Sequence, residues 1–147
     1  MIAELRALLE ADEGDGDHLV YVDHLGKATV GIGHLILDDD EEAGWPVGTP
    51  VTEERVTELF NQDVKTATAD AIILQPYLND WPIPAQITVI SLAFQLGLPR
   101  YSKFVKHHEA LDSQLWMTAA AELRDSKLYR QTPERTERHA QRLENLT

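Results

Sequence analysis

Two carboxylates, Glu13 and Asp23, stand ten residues apart where the chain changes from a helical to an alternating pattern. Glu13 closes an apolar-striped segment whose packed neighbours favour a protonated acid, and Asp23 sits at a hairpin-sized turn where water keeps a carboxylate ionised. Glycoside hydrolysis needs such a pair, one group to protonate the leaving oxygen and one to handle attack at the sugar carbon. The spacing alone does not identify a site, because the chain holds 25 Asp and Glu and such pairs arise by chance many times. There is no cysteine, so disulfides, thiol nucleophiles and thiolate metal sites are excluded. Asp12, Asp15 and Asp17 lack the bidentate Glu of a calcium loop and read as a solvated turn. His107 and His108 are neighbours, which face different ways on a helix, so a shared metal is not expected. The chemistry requires neither metal nor cofactor.

The elements that would position these groups can be read from periodicity. Ile2, Leu5, Leu8 and Leu9 share a helical face that stops at Asp12-Glu13-Gly14, with Gly14 suited to a helix end. Residues 18–36 hold β-rich runs on both sides of Asp23-His24-Leu25-Gly26-Lys27 and predict a small antiparallel sheet. The five consecutive acids at 38–42, followed by Gly and Pro, read as a solvated loop. Thr52 caps a helix striped by Val56, Leu59, Phe60, Val64, Ala67 and Ala71, reaching about Leu74. After Trp81-Pro82-Ile83-Pro84 comes a segment apolar on nearly all sides but for Thr88, Ser91 and Gln95, the buried helix of a second lobe. Further helices are expected over about 102–110, 113–125 and 133–145, the last with Thr132 as cap and Pro133 at its first position.

The string Glu13-Gly14, Tyr21-Val22-Asp23, Gly26, Thr29-Val30-Gly31-Ile32-Gly33-His34-Leu35 resembles the lysozymes of T-even phages, glycoside hydrolase family 24. The resemblance continues in Leu59-Phe60-Asn61-Gln62-Asp63-Val64, Ala93-Phe94-Gln95-Leu96-Gly97 and Tyr129-Arg130-Gln131-Thr132-Pro133-Glu134-Arg135, in family order and over nearly the whole chain. It implies an α+β lysozyme-like fold, a small antiparallel sheet lobe and a helical lobe joined by a long helix. The whole is expected to be one catalytic domain, with the sheet lobe at about 12–50, the linking helix at about 52–74, and the helical lobe at about 75–147 together with the N-terminal helix. Glu13 is implied as proton donor, and Asp23 and Thr29 as the residues that bind and orient the attacking water. Leu35 and Phe94 fall on sugar-binding positions. Two further binding positions fall on His107 and Glu122, where the family has Ser and Asn, and one extra residue lies between Glu13 and Asp23. The resemblance also sets His34 against Asp63, and an ion pair with a raised histidine pKa is expected.

The activity implied is hydrolysis of the β-1,4 bond between N-acetylmuramic acid and N-acetylglucosamine in bacterial peptidoglycan, in phage lysis of a host. A lytic transglycosylase needs one Glu alone, so retention of Asp23 and Thr29 favours hydrolysis; a silent wall-binding or virion protein of the same fold is the rival of another class. The formal charge is -12, with 17 acids against 4 Lys and Arg in residues 1–75 and 8 against 9 in residues 76–147. That balance argues against nucleic acid as a partner, and anionic wall groups should meet Lys103, Lys106, Lys127, Arg130, Arg135 and Arg138. No apolar run suits a signal peptide or stable membrane insertion. A monomer is expected, held in the host cytoplasm until holin-dependent release to the wall, or carried in a virion.

Overall fold

The computed structural model describes residues 1–146, in which seven α-helices and one three-stranded antiparallel sheet form the α+β lysozyme-like fold. Two compact units are distinguished, residues 2–65 and residues 66–146 with Met1. The N-terminal helix falls with the sheet, not with the later helices.

In the first unit, α1 (Ile2–Glu13) buries Leu5 and Leu9 and ends at Gly14, whose φ of +75° reverses the chain as glycine does at low cost. The sheet runs β1 (Tyr21–Val22), β2 (Ala28–Val30), β3 (His34–Leu35), in that spatial order. Its register pairs Tyr21 with Thr29 and Thr29 with Leu35. Val20, Val30 and Ile32 are buried, as are Val56, Leu59 and Phe60 of α2 (Glu53–Leu74). Thr52 does cap α2, its Oγ1 accepting from Arg55 N at 3.1 Å. Arg6 ties α1 to α2 through Thr57 Oγ1 at 2.9 Å.

The acidic loop is not wholly solvated, contrary to the sequence reading. Glu42 is fully buried, and Arg55 donates to both its oxygens, Nε to Oε2 at 2.7 Å and Nη2 to Oε1 at 2.9 Å. The guanidinium fork matches the carboxylate and holds its pKa below the ordinary range against the opposing effect of burial.

In the second unit, α3 (Ile83–Tyr101) is buried from Ala85 through Ala93, and its helical backbone is interrupted at Gly97 (φ +75°). The Thr88 and Ser91 side chains are as buried as their apolar neighbours, and Thr88 Oγ1 receives Arg142 Nη1 at 3.1 Å from α7 (Pro133–Glu144). α4 (Val105–Asp112) and α5 (Trp116–Arg124) are the two helices expected there, slightly shifted. The short α6 (Lys127–Gln131) was not anticipated; Ser126 caps it by accepting from Tyr129 N at 3.2 Å.

Three histidines are buried in this unit. His107 accepts from Tyr101 Oη at Nε2 (2.9 Å) and donates from Nδ1 to Ala119 O (3.0 Å); burial pushes its pKa down to about 3. His108 and His139 are likewise shifted down, in both cases chiefly by burial. His139 is next disfavoured as a cation by the charges of Arg142, Arg135 and Arg138.

Candidate functional site

The Glu13 carboxylate is delivered by the last residue of α1 to the backbone of Gly33. A Cβ at Gly33 would lie 2.7 Å from Glu13 Oε2 and 3.1 Å from its Cδ, so the missing side chain is the space the carboxylate occupies. Gly33 also has φ +67°, the left-handed region. Gly33→Ala is expected to lower turnover about a hundredfold by displacing the acid and to cost about 1–3 kcal/mol of backbone strain. Lysis rates beside a thermal melt check it: normal turnover in the folded variant would mean that Gly33 does not place the acid.

Asp23 follows β1 and opens the hairpin. Its Oδ1 accepts from both Leu25 N and Lys27 N at 2.9 Å, while Asp23 N donates to Lys27 O at 2.9 Å. The Lys27 N–H is the main cause of a pKa below the ordinary carboxylate value, helped by the Leu25 N–H and the His24 and Lys27 charges against a smaller effect of burial. Asp23 is therefore held as an anion. Its Oδ2 is the oxygen left for solvent or substrate.

Thr29 lies at the middle of β2 with 3% exposure, and its hydroxyl donates to Lys27 O at 2.9 Å. The same carbonyl thus ties Thr29 to the turn that fixes Asp23. With its proton committed, Thr29 Oγ1 can act toward a further partner as an acceptor. Leu35, paired with Thr29, is 41% exposed and offers an apolar surface on β3.

Sequence reasoning missed Tyr21. Its phenol donates to Gly31 O at 3.2 Å, and its ring covers Gly16, where a Cβ would be 2.2 Å from Tyr21 Cδ1. Burial raises the Tyr21 pKa, and so do the charges of Glu13, Asp23 and Asp15, which places the phenol in the field of all three carboxylates. Between Glu13 and Asp23 the chain makes a 3₁₀ turn at Gly16–His18, in which Asp17 and His18 have φ of 55° and 58°.

His34 and Asp63 do pair, Nδ1 to Oδ2 at 2.7 Å. A second carboxylate that the sequence did not reveal, Asp40, meets Nε2 at 2.8 Å and also accepts from Leu37 N at 2.8 Å. Burial opposes protonation of His34, but the hydrogen bonds and charges of Asp63 and Asp40 outweigh it and lift the pKa to about 9.

The remaining sequence candidates lie in the second unit. Phe94 is half-buried on α3. Glu122 on α5 and His107 on α4 line a pocket of about 350 Å³ with Phe104, Lys103, Lys106 and Lys127. His107 is 1% exposed with both ring nitrogens engaged inside the unit, so it forms pocket wall and presents no free nitrogen. No group of three or more metal-ligating side chains occurs among the described residues.

A helix that ends in a carboxylate seated against Gly33, in an otherwise helical chain with one three-stranded antiparallel sheet, gives a lysozyme-like fold. No protein-family model matches the chain. Probable T4-type lysozyme 2 of Dictyostelium discoideum is 27% identical to it over 94% of this chain and 92% of that protein. Probable T4-type lysozyme 1 of the same organism is 27% identical over the same shares. Peptidoglycan hydrolase gp36 of Pseudomonas phage phiKMV is 29% identical over 78% of this chain, which spans 12% of that longer protein. The chain is a relative of the T4-type lysozymes and a glycoside hydrolase.

Proposed function

We propose that this chain hydrolyses the β-1,4 bond between N-acetylmuramic acid and N-acetylglucosamine of bacterial peptidoglycan, with Glu13 as general acid. The observation that carries the reading is the seating of the Glu13 carboxylate on Gly33, within the same unit as the turn and strand of Asp23 and Thr29. Protonated Glu13 gives its proton to the glycosidic oxygen as the C–O bond breaks. The attacking water donates one hydrogen to Thr29 Oγ1 and the other to Asp23 Oδ2, which turns a lone pair toward the anomeric carbon. Asp23, kept ionised by backbone N–H groups, also stabilises the positive charge that develops on the sugar. The water's proton passes to Asp23 as the new C–O bond forms.

Leu35 and Phe94 are proposed to contact sugar, and Glu122 to rim the pocket whose wall includes His107. Lys103, Lys106 and Lys127 around that pocket suit the carboxylates of lactyl groups and stem peptides. No described helix is long and apolar enough to cross a membrane, and we propose that delivery to the wall relies on a holin or a virion.

Mass spectrometry of glycan fragments tests the reaction. Reducing ends are expected; anhydro ends would identify a transglycosylase and absence of fragments a binding protein. Water delivered by Asp23 from the face opposite the leaving group predicts inversion, so NMR should detect the α-anomer as the first product. A β-anomer formed first would replace this scheme with a covalent one.

A further inference from the structure

We propose that the helical unit holds a second binding site, for a neutral N-acetylated pyranose, in the pocket formed by the segment after α2 and the turn after α4. The choice of sugar rests on the wall-glycan reading; the site itself rests on its own geometry. The pocket encloses about 420 Å³, within the range that holds small ligands.

Its apolar wall is Trp81, 5% exposed and fixed by edge-on packing against Trp116 at a centroid distance of 5.3 Å. Tyr77 lines the same pocket and is 74% exposed, so its ring is open to a ligand. Gln75 is 1% exposed, and both of its hydrogen bonds leave from Nε2, to His108 Nδ1 at 3.0 Å and His108 O at 3.3 Å. His108 is fixed in turn by donating from Nε2 to Tyr101 O at 3.0 Å. The Gln75 amide is therefore locked, with Oε1 left as an acceptor at a pocket-lining residue. Gln114 joins from a turn in which its own φ is +54°, a conformation that residues other than glycine seldom adopt. Asp80 and Asp112 complete the polar lining.

A pyranose carries an apolar C–H face and a rim of hydroxyls. An open aromatic ring accommodates the face, while carboxylate and amide oxygens accept from the hydroxyls and the acetamido N–H. No Lys or Arg lines the pocket, and its two carboxylates repel anions. N-acetylglucosamine fits this chemistry, and muramic acid with its lactyl carboxylate does not. The other pocket of the same unit differs in setting three lysines, Lys103, Lys106 and Lys127, beside Glu122 and Asp125.

The test is an NMR titration of the whole chain with free N-acetylglucosamine, which has no glycosidic bond to cleave, repeated on Tyr77→Ala. Saturable shifts are expected at the Gln75 and Gln114 side-chain amides and the Trp81 indole, with about tenfold weaker binding in Tyr77→Ala. The exposure of Tyr77 predicts that circular dichroism and melting stay unchanged in that variant. Shifts confined to residues 2–65, or equal affinity in the folded variant, would overturn the second site. Shifts produced by ethanolamine and not by the sugar would also overturn it and mark a cation site. Wall lysis on the same samples separates the two readings: lysis without these shifts removes the second site alone, and Tyr77-dependent shifts without lysis leave the site and remove the hydrolase.

Discussion

Glu13→Gln is expected to retain the fold and to lose wall lysis by about a thousandfold. The amide has nearly the shape of the acid, so it fits the space that Gly33 leaves open. It has no proton to give the leaving oxygen, and the departing sugar must then leave as an alkoxide. Asp23, Thr29 and their hydrogen bonds to the Lys27 backbone are untouched by the change. Turbidity clearing of purified walls, with a thermal melt of the same sample, measures both halves of the expectation. Lysis within a few-fold of the parent would remove Glu13 from the mechanism.

The second large effect is on stability. With a folded pKa of about 9 against an unfolded value of 6.5, His34 binds its proton more tightly in the fold. A raised histidine pKa adds stability that is fully present below the unfolded value and is lost as pH rises through the folded one. Here that window runs from about 6.5 to 9, and the full contribution is about 3 kcal/mol. His34→Asn should therefore cost about 3 kcal/mol at pH 5 and under about 1 kcal/mol at pH 9. The lower boundary is set by Asp40, whose pKa is depressed by the Leu37 N–H and by His34 in opposition to burial. Its share is present above the ordinary aspartate value and is lost as pH falls through the lower folded one. Denaturant melts at the two pH values decide the matter: equal losses would reduce the cluster to packing.

Local features of the site were legible because they depend on neighbours in sequence. The stripe ending at Gly14 located the end of α1, and Thr52 located the start of α2. The resemblance supplied the His34–Asp63 pair. Long-range complementarity was not legible. A run of five acids gives no sign that Glu42 finds Arg55 thirteen residues later, or that Asp40 turns back to His34. The role of Gly33 did leave a signal, since two glycines around Ile32 in a strand pattern suggest close backbone approach; periodicity does not reveal that the approaching group is Glu13. Tyr21 was hidden by its ordinary fit to a strand, because its burial and its nearness to Glu13 and Asp15 arise only in the fold. His107 read as a ligand-facing polar residue and is instead almost wholly buried, its polarity satisfied by Tyr101 and Ala119.

The histidines give the two halves of the chain opposite responses to pH. As pH falls below about 6.5, the unfolded form of residues 66–146 can take up protons on His107, His108 and His139 that the folded form refuses. His34 in residues 2–65 already holds its proton and keeps it. Mild acid thus lowers the free energy of opening the helical half while the His34 contribution to the sheet half is kept, and alkali removes that contribution. Hydrogen exchange followed across pH should therefore show opening of residues 66–146 rising in mild acid and that of residues 2–65 rising in alkali.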